Sequence, residues 1–177
     1  YFLAATGHKT LLIDMDPQGN ATSGIGFNSE EKNTIYDALL SRRAISECIY
    51  TSQWNNLSIL PGTISLTGGE IELVGVDQRE KRLKKVLSII KNDFQFIIID
   101  APPSLGLLTV NVLVASDTLV IPIQCEYYAL EGVSKLLHTI TLIQEHLNPF
   151  LAIQGVLLTM ADFRTRLTLQ VIEEVRG

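Results

Sequence analysis

The chain has 177 residues, of which 46% are hydrophobic and 19% charged, a composition typical of a single globular domain with a sizeable core. The formal net charge of −5 argues against a surface that is basic throughout, so any contact with nucleic acid has to be confined to a local patch. Cys48 and Cys125 lie far apart, without metal-ligand spacing or a secretory leader, which favours reduced thiols in a cytoplasmic protein.

The chain opens on a short apolar segment, residues 1–6, followed by Gly7, the pattern of a helix that ends in a left-handed cap. We expect this segment to be the end of a longer helix. In that case the strand that opens a βαβ unit lies upstream of Tyr1, and the chain begins halfway through its first unit.

An apolar strand then leads into two carboxylates. Residues 10–13 show no alternation, which is typical of a parallel strand covered on both faces, and the run stops at Asp14. Pro17 cannot continue a ladder, and the following Gly-Asn pair tolerates left-handed backbone angles, so residues 16–20 are predicted to form a loop. Sites of α/β proteins lie at this end of a strand, which makes the loop a candidate site.

The middle of the chain predicts several short elements. Residues 21–33 are rich in Gly, Ser and Asn and indicate a mobile surface connection. Thr34 and Asp37 resemble a capping box, so a short helix should begin there and end near Ser41. The next predicted elements are a short helix over 45–50, a strand over 57–60, a helix over 65–74 and an amphipathic helix over 79–92. The basic face of that last helix favours a solvated surface over a phosphate-binding one.

Residues 96–99 repeat the design of the first strand, because a continuous apolar run again ends at an acid, Asp100. The Pro-Pro pair that follows stiffens the turn, since each proline fixes its own φ and restricts its predecessor. Asp100 is also compatible with a cap for the helix predicted to start near Gly106. The two acids that follow the first strand favour the functional interpretation.

The last part of the chain alternates helices and strands, which predicts a doubly wound α/β fold. The predicted elements are a helix over 107–115, a strand over 118–123, a helix over 130–147, a strand over 152–158, a loop over 159–166 and a helix from near Leu167. His138 and His146 lack a partner pattern for metal binding or nucleophilic catalysis. Polar residues interrupt the longest apolar stretch, 107–123, so no membrane span is expected.

Three segments resemble one family. Residues 14–20 (DMDPQGN) are similar to switch I of the ParA/Soj chromosome-partitioning ATPases, which belong to the deviant Walker A class of P-loop proteins. Residues 96–106 (FIIIDAPPSLG) resemble that family's Walker B strand and switch II, and residues 124–132 (QCEYYALEG) are a third match. The resemblance implies a mostly parallel sheet of the P-loop NTPase type in one ParA-like domain over residues 1–177, incomplete at both ends. The family's Gly-rich loop with two lysines is expected upstream, so the fragment alone is expected to be inactive.

The resemblance also implies a site for ATP and Mg²⁺. Asp16 would orient or activate the attacking water, Asp100 would hold the Mg²⁺ shell through a water, and Asp14 would support the metal end. The remaining residues that the resemblance assigns to cofactor binding are Gln18, Gly19, Asn20, Pro102, Met160 and Asp162. Of these, the first three would sense the γ-phosphate and Asp162 would accept a hydrogen bond from the adenine amine, although the same residue suits a loop cap. Arg164 and Arg166 would contact DNA non-specifically, or lie on solvated surface.

Members of the family bind ATP, dimerise, bind non-specific DNA on the nucleoid and partition chromosomes or plasmids, with hydrolysis stimulated by a ParB/Spo0J-like partner. The resemblance implies the same for this chain, with no membrane partner. Nitrogenase iron protein and dethiobiotin synthetase share the two acids, but an iron protein needs paired cluster cysteines. A MinD-like division regulator would carry a carboxyl-terminal amphipathic helix, which this chain does not reach. A non-catalytic binding module built on the same fold is the remaining alternative.

Overall fold

The computed structural model describes residues 1–125, 129–162 and 164. These residues fall into two compact units, Tyr1–Ala115 and Ser116–Gly177. The first unit contains a four-stranded sheet with helices, and the second contains a pair of strands joined through a helix. The α/β fold class with mostly parallel strands is therefore confirmed, whereas the single domain over the whole chain stays a prediction.

The sheet of the first unit has the strand order β2-β3-β1-β4. Its strands are β1 (Thr10–Asp14), β2 (Tyr50–Thr51), β3 (Leu57–Leu60) and β4 (Phe96–Asp100). β1 pairs in parallel with β3 on one side and with β4 on the other, and only β2 is antiparallel to its neighbour. The register aligns Asp14 with Asp100, so the two acids lie side by side at the carboxyl ends of their strands.

Six helices belong to the first unit: α1 (Phe2–Ala5), α2 (Asn20–Gly24), α3 (Ile35–Leu39), α4 (Ser65–Leu73), α5 (Arg82–Leu87) and α6 (Leu107–Ala115). Short 3₁₀ turns cover Ile45–Cys48, Arg79–Lys81 and Lys91–Asp93. The helix α2 covers residues 21–24 of the segment predicted to be a mobile connection over 21–33, so that prediction is wrong for these four residues. The capping interaction predicted for α3 is present, since the Thr34 amide donates to Asp37 Oδ2 at 2.8 Å.

The core of this unit forms around the central strand. Leu11 and Ile13 of β1 are fully buried, as is Met15 just beyond it, and they belong to one apolar cluster with residues of α3, α4, α5 and α6. The prediction of a strand covered on both faces is therefore confirmed for β1. It is wrong for β4 within this unit, because β4 lies at the edge of the sheet and alternates half-buried with exposed side chains.

The predicted helix over 79–92 is broken, and the buried amide of Asn111 on α6 explains the break. In a continuous helix the Leu83 amide would donate to the Arg79 carbonyl. Instead, the Leu83 amide donates to Asn111 Oδ1 at 3.0 Å, and Asn111 Nδ2 donates to the Arg79 carbonyl at 2.8 Å. The side chain of Asn111 thus replaces one helical hydrogen bond with two tertiary ones, and it fixes the start of α5 against α6.

The second unit contains β5 (Thr118–Gln124), α7 (Ala129–His146) and β6 (Ala152–Thr159). β5 and β6 pair in parallel, with a register shift between Leu119 and Val120, which confirms the predicted βαβ unit. The helix predicted from near Leu167 lies outside the described residues. No helix in the part of the chain that the structure describes is long and apolar enough to span a membrane.

Candidate functional site

The carboxylate of Asp14 is fully buried at the end of β1, and three hydrogen bonds reach it. Oδ1 accepts from the Asp16 amide at 3.1 Å. Oδ2 accepts from both the amide and the hydroxyl of Thr22, at 2.8 and 2.7 Å. A buried carboxylate without partners would be strongly destabilising, and hydrogen bonds to its charged form offset that cost. Asp14 therefore organises the loop that follows it.

Thr22 and Gly62 complete this arrangement, and the sequence analysis missed both. The Gly62 amide donates to Thr22 Oγ1 at 3.1 Å, so the same hydroxyl joins α2 to the turn after β3. A Cβ atom on Gly62 would lie 2.5 Å from the Asp14 carbonyl oxygen, which leaves no room for a side chain. The Pro-Gly pair at residues 61–62 predicted a turn, but the sequence did not indicate that this turn contacts Asp14.

Asp16 is half-buried and has a partly satisfied carboxylate. Its Oδ1 accepts from the Gln18 amide at 2.9 Å, and its carbonyl accepts from the Gly19 amide at 3.0 Å. Oδ2 makes no hydrogen bond with any residue that the structure describes. Gly19 takes the predicted left-handed conformation with φ of +65°, and Asn20 begins α2. The loop therefore fixes the carboxylate of Asp16 through one oxygen and leaves the other available.

Asp100 ends β4 beside Asp14, and the Met15 amide donates to the Asp100 carbonyl at 2.9 Å. Although the residue is exposed overall, partial desolvation raises the pKa of its carboxyl group, and the charges of Asp14 and Asp16 raise that pKa further. The structure thus brings the three predicted acids together at the carboxyl ends of β1 and β4. Pro102 is buried just beyond them.

Met160, Asp162 and Arg164 belong to the second unit. Met160 follows β6 with a φ of +55° and is 80% exposed. Arg164 binds Asp162 through its amide and two guanidinium nitrogens at 2.8 to 3.0 Å, and this hydrogen bonding lowers the pKa of Asp162. The predicted adenine acceptor and the predicted DNA contact therefore form one ion pair. Arg166 lies outside the described residues.

The buried hydroxyl of Thr22 provides a first test of this geometry. Thr22→Val keeps the shape of the side chain but leaves Asp14 with one hydrogen bond fewer and the Gly62 amide without its partner. We expect the free energy of unfolding to fall by roughly 2–4 kcal/mol in urea titrations. Ser23→Ala is the matched control, because its exposed hydroxyl bonds only to carbonyls of its own helix turn, and it should change stability by less than about 0.5 kcal/mol. Equal stability of the two variants would contradict the assignment.

The raised pKa of Asp100 gives a second test, in the protein without ligands. Protonation of Asp100 favours the folded state, so its ionised form opposes folding above the folded pKa, and this effect disappears as the pH falls through that pKa. Asp100→Asn should therefore raise the urea midpoint at pH 7, and the gain should shrink towards acid pH. Asp93→Asn, at an exposed position, controls for net charge. A gain that is constant with pH, or shared by the control, would contradict this expectation.

The chain is similar to known proteins in both sequence and fold. The sequence profile of the AAA domain matches residues 1–153. The sporulation initiation inhibitor protein Soj of Bacillus subtilis is 54% identical over 175 residues, which are 98% of this chain and 69% of Soj. The chromosome partitioning protein ParA of Myxococcus xanthus is 52% identical over 99% of this chain and 62% of that protein.

One solved structure, cobyrinic acid a,c-diamide synthase from Mycobacterium smegmatis with bound ATP analog and magnesium, has a TM-score of 0.91 and 36% identity over 98% of this chain and 71% of that chain. Soj of Bacillus subtilis and ParA of Myxococcus xanthus are more similar to this chain in sequence than the structural neighbour is, and the family assignment follows from them. The chain belongs to the ParA/Soj family of chromosome-partitioning ATPases and has the α/β fold of P-loop NTPases.

Proposed function

We propose that the full-length protein binds ATP with Mg²⁺ and hydrolyses it in a cycle that partitions chromosomes or plasmids. In this cycle the ATP-bound protein dimerises and binds DNA non-specifically on the nucleoid, and a ParB/Spo0J-like partner stimulates hydrolysis. The observation that supports this most is the loop after β1, where Asp14 and Thr22 fix the backbone. In this loop Oδ2 of Asp16 accepts no hydrogen bond from the described residues, whereas Oδ1 accepts one from the Gln18 amide.

Phosphoryl transfer requires mainly positioning and neutralisation of charge, and Asp16 suits the positioning of the attacking water. The Gln18 amide holds Oδ1, which limits rotation of the carboxylate and leaves Oδ2 to accept a hydrogen bond from that water. The Asp16 amide is itself held by Asp14. Asp16 is accordingly the proposed catalytic residue, and Asp14 positions it.

Asp14 and Asp100, at the carboxyl ends of β1 and β4, have the chemistry to support a magnesium ion. Such an ion, when bound with ATP, neutralises charge on the β- and γ-phosphates. Carboxylate oxygens are suitable ligands for it. The pKa of Asp100 is raised first by desolvation and then by the negative charges of Asp14 and Asp16, and a bound cation would offset that repulsion. Among the described residues, no group of three His, Cys, Asp or Glu side chains is placed to hold a metal ion alone. Asp100 would therefore contact the ion through a water, and Asp14, whose oxygens accept three hydrogen bonds, would support it indirectly.

The nucleotide would also contact the loops around these acids. Gln18, Gly19 and Asn20 lie where the loop turns into α2, and we assign them to sensing of the γ-phosphate. Pro102 follows Asp100 and would lie against the nucleotide. The bound ATP analog and magnesium in the structural neighbour at 36% identity support a nucleotide site in this fold. In the second unit, Met160 and Asp162 are the proposed adenine contacts.

Arg164, with Arg166 as a second candidate, is the proposed DNA contact. Its side chain is 89% exposed and paired with an exposed part of Asp162. Exposed ion pairs contribute little to stability, so a DNA phosphate can compete with the Asp162 carboxylate for the guanidinium group.

Replacing Asp16 tests the catalytic assignment in the full-length protein. Asp16→Ala should reduce single-turnover ATP hydrolysis by about 10²-fold or more, since it removes the acceptor for the attacking water. ATP affinity measured by calorimetry with Mg·ATP should stay within about threefold, because the group acts mainly in the transition state. The control Asp93→Ala, at an exposed position, should hydrolyse ATP like the parent. A parental rate in Asp16→Ala would show that Asp16 is a structural loop residue, and an inactive parent would favour a non-catalytic binding module.

Replacing Arg164 tests the DNA contact. Arg164→Ala should weaken binding of unrelated DNA duplexes to a similar extent, because a phosphate contact carries no sequence information. The slope of log affinity against log salt should become shallower by about one unit. Arg43→Ala removes an equal charge from an exposed position in the first unit and should leave the slope unchanged. Identical slopes for Arg164→Ala and the parent would place Arg164 on ordinary surface.

A further inference from the structure

We propose that Glu70 of α4 is a positioning residue for the loop that follows Asp100, and this inference rests on the proposed ATPase function. The loop over residues 101–106 joins β4 to α6. Glu70 contacts the far end of this loop, where α6 begins. Its sequence context, a helix with two glycines and little amphipathic pattern, gave no indication of such a role.

The contact is a carboxylate cap. The Leu107 amide, the first of α6, donates to Glu70 Oε1 at 2.8 Å. The first amides of a helix have no partner within the helix, and a negative charge beside them also interacts favourably with the helix dipole. Two residues further on, the hydroxyl of Thr109 donates a second hydrogen bond to the loop, at the Ser104 carbonyl. The carboxyl half of the loop is therefore held by α6, and the start of α6 is held by Glu70.

Gly106 supports this assignment independently. Its φ is not in the left-handed region, so its backbone angles do not require glycine. A Cβ atom built on Gly106, however, would overlap Glu70 Oε1. A side chain at this position would displace the carboxylate and so remove the cap. The cap as the structure shows it therefore needs a residue without a side chain at position 106.

The two ends of the loop depend on different interactions. Asp100 is fixed by the parallel ladder between β4 and β1, and this ladder does not involve Glu70. The carboxyl half of the loop is fixed through α6. Loss of the cap should therefore leave Asp100 and the adjoining Pro102 in place while the carboxyl half of the loop gains freedom. We infer that Glu70 acts on turnover rather than on nucleotide affinity.

The first experiment tests the cap without reference to activity. Hydrogen exchange of the Leu107 amide should be faster by about tenfold or more in Glu70→Ala. Gly106→Ala should have the same effect. Both changes remove the same hydrogen bond, between the Leu107 amide and Glu70, so the double variant should be no less stable in urea than the less stable of the two single variants. Unchanged exchange in Glu70→Ala, or fully additive losses in the double variant, would overturn the proposal.

The second experiment measures ATP turnover in the full-length protein. Glu70→Ala should lower kcat by between about 3- and 100-fold with KM within about twofold, because a displaced loop affects the reacting geometry. Glu70→Gln keeps an acceptor oxygen and should recover most of the rate. Glu72→Ala is the matched control on the same helix, because Glu72 bonds only to Tyr36 and Arg42. Parental kcat in Glu70→Ala would overturn the positioning role, whereas an inactive parent would overturn the proposed function and leave the exchange result to decide the cap.

Discussion

The buried carboxylate of Asp14 is the interaction on which the candidate site depends. It lies at the end of the central strand, out of contact with solvent, and three hydrogen bonds from Asp16 and Thr22 reach it. In a low-dielectric interior such bonds are strong, and their loss leaves an unsatisfied charge. The loop over residues 16–20 and the helix α2 therefore have one arrangement that satisfies Asp14. The chemistry proposed for Asp16 relies on that arrangement.

The three acids differ in environment, and this difference separates their roles. Asp14 is buried with three hydrogen bonds, and Asp16 is half-buried with one carboxylate oxygen that no described residue contacts by a hydrogen bond. Asp100 has its pKa raised by desolvation and by its two neighbours. A carboxylate whose oxygens are hydrogen-bonded within the protein is suited to stabilising the loop, and one with an available oxygen is suited to orienting a water. A carboxylate close to other negative charges is suited to binding a cation. The paired strand ends place Asp14 beside Asp100, and the hydrogen bonds of Thr22 and Gln18 produce the different environments of Asp14 and Asp16.

The sequence predicted most regular elements, because their signals are local. The apolar runs of β1, β3 and β4 and the helix α6 follow from residue type and spacing, and the acids were found because they end such runs. The break before α5 was not predictable, since it depends on Asn111 entering the hydrogen bond between residues 79 and 83. Thr22, Gly62 and Glu70 were missed for the same reason: each acts through a contact with a distant segment. Tertiary hydrogen bonds of this kind leave no periodic trace in a single sequence.

Two of these tertiary contacts involve a glycine, at residues 62 and 106. Neither Gly62 nor Gly106 has a left-handed φ, so both lie where the backbone alone would accept another residue. At Gly62 a side chain would collide with Asp14, and at Gly106 it would collide with the carboxylate of Glu70. Gly62 follows β3 and allows the turn after β3 to approach the end of β1. Gly106 precedes α6 and leaves room for the Glu70 carboxylate that caps α6. At Gly62 the colliding atom belongs to the backbone of Asp14 and cannot move away, so close approach rather than backbone freedom explains the glycine there. At Gly106 the colliding atom is the end of the Glu70 side chain, so a residue with a side chain would displace the cap rather than the backbone.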